Sequence, residues 1–333
     1  MTNRTQQRHA FLEALGYDPA NLCFLASDMS PRQYYRLFEP SRVLMDSPVE
    51  SPEQFVKIAS FLRQQGVRAP EVMETNLRDG FVMLEDFGNT TFRRVLSQNP
   101  AKIEELYRLA VGVLKHLHER VPVCPPFLCP YSLENLLAEA DVFIDWVWPA
   151  TFGKRPKQAI KNEFRNLWHQ AFLKVPHIPN SLVLRDYHVD NLMILQGEGV
   201  QACGVLDFQD ALFGPVVYDL ISLLEDARYD APPILAQNLW EQFLTDVPLR
   251  DHENYKKAAA ILGTGRHVKI LGVFTRYAMR QGKKDYLVHI PRLWGYVENH
   301  LEKETALEPL RHWFHTYFPQ ETRQIPSFLE KAA

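Results

Sequence analysis

The chain has 333 residues, 46% of them hydrophobic and 12% aromatic. That is enough to bury a full core, in one large domain or two modest ones, and it excludes a disordered chain as the default. A formal net charge of −3 gives no general attraction to nucleic acid or to an anionic membrane. No apolar run approaches the roughly 18 residues of a membrane span, and Met1–Arg8 lack the apolar core of a signal peptide. The cysteines are Cys23, Cys124, Cys129 and Cys203; Cys124 and Cys129 bracket Pro125-Pro126 with no matching second pair, so a zinc site is not expected. Free thiols in a reducing cytoplasm are the expectation.

Residues 1–20 open with a short helix that carries Phe11, Leu12 and Leu15 on one side. Phe24-Leu25, Tyr34–Phe38 and Arg42–Met45 read as an antiparallel meander, with the polar stretch Ala26–Pro31 as its first loop. Ser51-Pro52-Glu53-Gln54 signals a helix start: Ser as the cap, Pro at the first position and Gln three residues after the cap. Phe55, Ile58 and Leu62 give that helix its apolar face, and Gly66 ends it. Val72-Met73 and Phe81–Leu84 form another strand pair, followed at once by Glu85-Asp86-Phe87-Gly88.

Asn99-Pro100 introduces a helix with Ile103, Leu106, Ala110, Val113 and Leu117 inward. His116 and His118 lie two apart on it, so they do not share a face and make no metal site. After an irregular connector, Leu133–Trp148 reads as a helix in which Asp145 and Trp146 have the chemistry of a sugar site. Aromatic faces stack on C–H groups and a carboxylate accepts hydroxyl hydrogens. The same aromatic spacing also suits a core. The last hundred residues are helical, and Arg266, Lys269, Arg276 and Arg280 recur at helical spacing as a basic stripe. That stripe is either a solvated face or a place for an anionic group.

Between these helical regions, Ser181–Leu184 reads as a short buried strand, and Asp186 and Asn191 follow it. Leu192–Leu195 and Val200–Leu206 flank a Gly197-Glu198-Gly199 turn, which is a hairpin signal. A turn centred on Glu198 puts Asn191 opposite about residue 205 and Asp207 at the open end. Two carboxylates and a carboxamide thereby meet. Such hard oxygens suit Mg²⁺, which takes few protein ligands and completes its shell with waters and phosphates. One carboxylate and the amide hold the metal, and the other carboxylate orients or deprotonates a hydroxyl, the division of labour in kinases.

Leu184-Arg185-Asp186-Tyr187-His188-Val189-Asp190-Asn191 resembles the catalytic loop of the aminoglycoside phosphotransferase and choline kinase superfamily. Leu206-Asp207-Phe208-Gln209-Asp210 resembles its metal-binding segment, and Gly214–Leu220 the stretch whose aspartate braces the loop. Gly265–Phe274 and Tyr286–Arg292 resemble one bacterial subgroup, the cell-wall amino-sugar kinases, which phosphorylate N-acetylmuramate and N-acetylglucosamine at the anomeric hydroxyl. The likeness runs from about Phe24 to Trp313.

The resemblance implies an α+β, protein kinase-like fold of two lobes with the active site between them. Residues 1–86 form a small antiparallel-sheet lobe that covers the nucleotide, and residues 87–333 a mostly helical catalytic and substrate lobe. It implies ATP and Mg²⁺ as cofactors and a small-molecule acceptor, with no nucleic acid or membrane partner. Asp186 and His188 become the catalytic residues, Asn191 and Asp207 the metal ligands, and Asp219 the support. Ser27, Ser30, Arg36, Glu85 and Phe87 become nucleotide contacts, the last two through backbone at the hinge. Asp145, Trp146 and Arg266 are the acceptor-side candidates. Two departures stand out. Leu184 and Arg185 replace the family's His-Gly, and Met45 stands where the strand lysine for the α- and β-phosphates belongs. Arg32, Arg36, Arg42 and Lys57 are the open substitutes for that lysine. The alternatives on function are another small alcohol, such as an aminoglycoside, a choline-like alcohol or homoserine, and an inactive nucleotide-binding protein.

Overall fold

The computed structural model describes residues 3–27, 31–326 and 329. They divide into two compact units. The first comprises Met1–Val121, Pro125–Phe127 and Leu184–Ala211; the second comprises Pro122–Cys124, Leu128–Val183 and Leu212–Ala333. The first unit therefore carries both the Glu85–Gly88 stretch and the Asp186–Asp207 segment.

In the first unit the order is α1 (Asn3–Ala14), β1 (Leu22–Ser27), β2 (Gln33–Phe38), β3 (Ser41–Asp46), α2 (Glu53–Gln64), β4 (Val72–Asn76), β5 (Phe81–Glu85), α3 (Phe92–Gln98) and α4 (Ile103–Arg120). The strands form one antiparallel sheet in the order β1-β2-β3-β5-β4, the meander and added strand pair expected from the sequence. Side chains alternate across it. Leu37, Leu44, Phe81 and Met83 pack with Leu12 of α1 on one face, where Phe11 stacks on Phe81 at 5.4 Å between centroids. Register sets Arg36 beside Val43 and Val43 beside Leu84, so these three make a row on the opposite face. The helix start at residue 51 comes one position later than expected. Its first helical residue is Glu53, whose N–H donates to Ser51 Oγ at 3.3 Å.

The rest of the first unit is a hairpin, Leu192–Ile194 with Cys203–Val205. Its register pairs Leu192 with Val205, so Asn191 falls opposite Leu206, one residue beyond the position expected from a turn centred on Glu198. A 3₁₀ turn at Gly199–Ala202 moves the centre of the hairpin towards the second strand, and the Leu206 N–H donates to the Asn191 carbonyl at 2.9 Å.

The second unit contains α5 (Leu133–Phe152), α6 (Gln158–Phe172), α7 (Val217–Leu224), α8 (Pro233–Phe243), α9 (His252–Gln281), α10 (Ile290–Lys303) and α11 (Glu308–Tyr317), with a strand pair Asn180–Val183 and Leu212–Pro215. Ser132 and Asn135 close a capping box at the start of α5. Its core is aromatic: Phe143 lies 5.0 Å from Phe318, and Phe164 lies 4.7 Å from Trp313, centroid to centroid. Helices α5 and α9 cross in backbone contact at Gly272, where a Cβ would come within 2.6 Å of the Val142 backbone. Among the described residues no helix is long and apolar enough to cross a membrane.

Candidate active site

The loop from Asp186 to Asn191 is fixed by its apolar members. Tyr187 and Val189 are buried, the Tyr187 hydroxyl donates to the Ala110 carbonyl of α4 at 2.9 Å, and the Arg93 N–H of α3 donates to the Val189 carbonyl at 3.0 Å. Asp186 and Asn191 flank this buried run and are less enclosed. The backbone is held in an unusual shape. Among the described residues only Arg185 (φ 72°) and Asp207 (φ 57°) are non-glycine residues in the left-handed region. Each such residue costs on the order of 1–3 kcal/mol, and strain of this kind gathers at functional sites. One of the two precedes Asp186 and the other is Asp207 itself.

Asn191 ties the three candidates together. Its Nδ2 donates to the Asp186 carbonyl at 2.9 Å and lies 3.5 Å from Asp207 Oδ2 and 3.4 Å from His188 Nε2. His188 is buried, at 5% exposure. With Nδ2 committed to the Asp186 backbone, the atom that Asn191 offers a ligand is its amide oxygen. Gln209 Nε2 donates to Asp207 Oδ1 at 2.6 Å and so fixes the turn of that carboxylate. An amide oxygen beside a carboxylate oxygen is a hard donor set, and it fits Mg²⁺ or Mn²⁺ better than a softer metal.

Of these residues Asn191 and Asp207 line a cavity of about 310 Å³ whose lining belongs wholly to the first unit. Leu25, Val43 and Leu84 of the sheet and Met193 and Leu206 of the hairpin give it apolar walls, and the Glu85–Gly88 stretch forms its edge. An apolar slot with a few convergent polar groups is the form of a small-molecule site. Glu85 turns its carboxylate away to Arg63 (3.3 Å) and Arg68 (3.0 Å), which leaves backbone atoms towards the cavity. The Phe87 ring lies on Gly204, where a Cβ would meet Phe87 Cε2 at 2.7 Å.

Arg36 also lines the cavity, but its guanidinium is engaged along the edge. It pairs with Asp86 (Nε–Oδ2 2.7 Å), and donates to Asn89 Oδ1 at 2.7 Å and the Gly88 carbonyl at 2.9 Å. Burial works to raise the Asp86 carboxyl pKa, but hydrogen bonds from Ser41, Arg36 and the Gly88 N–H outweigh it and hold it below its ordinary value. Ser27 ends β1 with its backbone beside Gln33, and Ser30 lies outside the described residues.

The remaining candidates fall in the second unit. Asp145 pairs with Lys161 at 2.7 Å, and Trp146 lies under Arg280 at 4.7 Å, while their neighbours Phe143 and Trp148 fill the core. Arg266 is not on a solvated stripe: it is 4% exposed and donates to Ser222 Oγ at 2.6 Å, and Lys269 pairs with Glu139 at 3.0 Å. Asp219 is 1% exposed in the first turn of α7. The sequence reading passed over two features. Within Leu206–Asp210 no sequence pattern singles out Gln209 as the residue that grips Asp207. Glu225 Oε2, at the end of α7, accepts from His267 Nε2 at 2.6 Å and His300 Nε2 at 2.9 Å, across 42 and 75 positions, which no local pattern announces.

A family model described as phosphotransferase enzyme family matches residues 21–258. An N-acetylmuramate/N-acetylglucosamine kinase of Pseudomonas aeruginosa is 32% identical over 302 residues, covering 88% of this chain and 87% of that protein. One of the same name from Caulobacter vibrioides is 29% identical over 97% of this chain and 99% of its own length. Among solved structures, an ADP-bound aminoglycoside phosphotransferase superposes with a TM-score of 0.61 at 13% identity, covering 92% of this chain and 99% of its own. A choline/ethanolamine kinase family protein from Mesorhizobium loti gives 0.58 at 13% identity, over 94% of this chain and 99% of its own. The fold is thus the kinase-like α+β one expected from the sequence. The chain belongs to the phosphotransferase enzyme family and is a small-molecule kinase.

Proposed function

We propose that the chain transfers the γ-phosphoryl group of ATP, with Mg²⁺, to the anomeric hydroxyl of an amino sugar, N-acetylmuramate or N-acetylglucosamine. The observation that carries the chemistry is the contact of Asn191 with the Asp186 backbone and with the Asp207 carboxylate, at the end of an apolar cavity. The names of the relatives, which match nearly the full chain, carry the acceptor. Val43 and Leu84 of the sheet and Met193 and Leu206 of the hairpin would take the adenine, with the backbone of Glu85–Phe87 to read its edge. Ser27 and Ser30 remain the candidates for the phosphates on the strength of the family resemblance. The edge is kept in place by the Arg36–Asp86 pair, so Arg36 serves the nucleotide through the hinge rather than by direct contact.

Asn191 and Asp207 would hold the metal through their side-chain oxygens, with Gln209 fixing the carboxylate. Bound there, Mg²⁺ supplies charge that offsets the phosphate oxygens. Asp186 accepts the proton of the acceptor hydroxyl as the sugar oxygen bonds to the γ-phosphorus and the bond to the bridging β,γ-oxygen breaks, releasing ADP. An anomeric hydroxyl is more acidic than an ordinary alcohol, so Asp186 needs little basicity. His188 orders the loop from beside the Asn191 amide, and Asp219 remains the candidate for its support. Asp145 and Trp146, partly exposed, remain the acceptor-side candidates, since a surface ion pair such as Asp145–Lys161 is cheap to rearrange. Arg266, buried on Ser222, acts by holding α9 to α7. We place the reaction in the cytoplasm, in keeping with four free cysteines.

The test is Mg²⁺-ATP turnover against N-acetylmuramate, N-acetylglucosamine, kanamycin, choline and homoserine. Turnover with an amino sugar above all others is the expected result. Preference for kanamycin, choline or homoserine would overturn the acceptor and leave the phosphoryl chemistry standing.

A further inference from the structure

Glu225, His267 and His300 meet inside the helical unit, each from a different element: the end of α7, α9 and α10. Both histidine Nε2 atoms converge on one carboxylate oxygen, at 2.6 Å and 2.9 Å, and the three donor atoms lie within 4.8 Å of one another. The two rings are parallel to within 6°, with centroids 6.1 Å apart, and Tyr296 stacks on His267 at 5.0 Å. Gly263, one turn before His267 on α9, faces the same point. A Cβ there would come 3.3 Å from His300 Nε2 and 3.6 Å from Glu225 Oε2, so the helix carries no side chain where these atoms gather.

Two imidazoles and a carboxylate aimed at one point are a ligand set. Imidazole nitrogens suit zinc and its neighbours, whereas Mg²⁺ wants oxygen throughout, so this group is chemically unlike Asn191 and Asp207. Zinc can take three protein ligands and keep a fourth position for water. Its donors stand about 3.3 Å apart in a tetrahedron, so each present contact opens by roughly half an ångström to admit the ion. The ion displaces the Nε2 protons: that of His300 leaves to solvent, and that of His267 moves to Nδ1. Among the described residues the buried His267 Nδ1 accepts from no donor, so nothing holds the ring in its present tautomer. Access is from the side of Glu225 and His300, whose side chains are 22% and 13% exposed, while His267 is closed off. Arg266 and Lys303 lie near enough to repel positive charge from the histidines, and Asp226 and Asp230 act the other way on Tyr296, the ring stacked on His267.

We propose that Glu225, His267 and His300 bind a divalent cation of the zinc class, which ties the end of α7 to α9 and α10. The site stands apart from the nucleotide reading above and does not depend on it. To test it, the chain is stripped of metal by chelation and titrated with Zn²⁺, Co²⁺ and Mg²⁺. Bound ion per chain, melting temperature and the visible spectrum with Co²⁺ are read for the wild type, His300→Gln and His300→Cys. The expected result is one Zn²⁺ per wild-type chain, a melting temperature that rises with Zn²⁺ but not with Mg²⁺, and about a hundredfold weaker binding in His300→Gln. His300→Cys should bind Co²⁺ with a thiolate charge-transfer band that the wild type lacks, which identifies position 300 as a ligand even where His300→Gln folds poorly. Failure of the wild type to bind Zn²⁺ overturns the inference and leaves the three residues as a hydrogen-bonded tie. Zn²⁺ held equally by the wild type and His300→Gln overturns it too, and so does a thiolate band in the wild type, which would move the ion to the cysteines.

Discussion

At the scale of single residues, the site is a set of side chains that orient one another. Asn191 gives its N–H₂ to the Asp186 carbonyl, which turns its amide oxygen towards a ligand; Asp207 accepts from Gln209 at Oδ1 and lies 3.5 Å from Asn191 Nδ2 at Oδ2. Gln209 is 9% exposed and its hydrogen bond is 2.6 Å, so its loss would leave the Asp207 carboxylate free to turn. Groups that orient a metal ligand are typically worth 10- to 100-fold in metal affinity. Gln209→Met should therefore raise the Mg²⁺ concentration needed for half-maximal nucleotide binding by about tenfold, with adenosine binding untouched. An unchanged Mg²⁺ requirement would remove Gln209 from the site. Asp186, Asn191 and Asp207 were legible in the sequence because one hairpin joins them, and hairpin register is a local property. Even so the register came out one residue off, since a 3₁₀ turn is not visible in the pattern of apolar residues.

At the scale of elements, what the sequence showed was periodicity, and what it hid was which face each element turns to its neighbours. The strands β2, β3 and β5 and the helix α4 follow their apolar spacing closely, whereas Phe24 and Leu25 of β1 are exposed. On α9 the same logic misleads, because Arg266 and Lys269 lie at stripe spacing yet are occupied by Ser222 and Glu139 inside the helical unit. The Glu225–His267–His300 group joins α7, α9 and α10 in the same way. Burial pushes His267 down to about 4 against the pull of Glu225. Burial also works to lower His300, but the Glu225 carboxylate outweighs it and raises that group above its ordinary 6.5. Burial opposes the Glu225 charge too, and the two histidines overcome it and hold the carboxyl below its ordinary value. The signs follow. Stability from protonated His300 is complete below pH 6.5 and lost as pH rises through its raised value. Stability tied to neutral His267 is lost as pH falls from 6.5 towards 4, because the unfolded chain takes up a proton that the folded chain does not. The Glu225 contribution is lost at still lower pH. The group as a whole stabilises most near pH 6.5. In Glu225→Gln, the His300 resonance should titrate at lower pH and the melting temperature should fall. A wild-type His300 that titrates at or below 6.5 would contradict the assignment.

At the scale of the whole molecule, the chain matches its family over residues 21–258 and its named relatives over nearly its full length, so the architecture and the class of reaction stand together. The first unit holds every wall of the candidate nucleotide cavity, including the hairpin that returns from position 184 onwards. That return is a long-range event: Asp210 is remote from Arg32 along the chain, and only folding places the two within 4.0 Å. The central claim is that Asp186 takes the acceptor proton while Asn191 and Asp207 hold the metal-bound donor. The most direct measurement is ATP binding and turnover side by side in Asp186→Asn, with the preferred sugar as acceptor. The account predicts Mg²⁺-ATP affinity near that of the wild type and turnover down by about a thousandfold. Near-normal turnover in Asp186→Asn would contradict it.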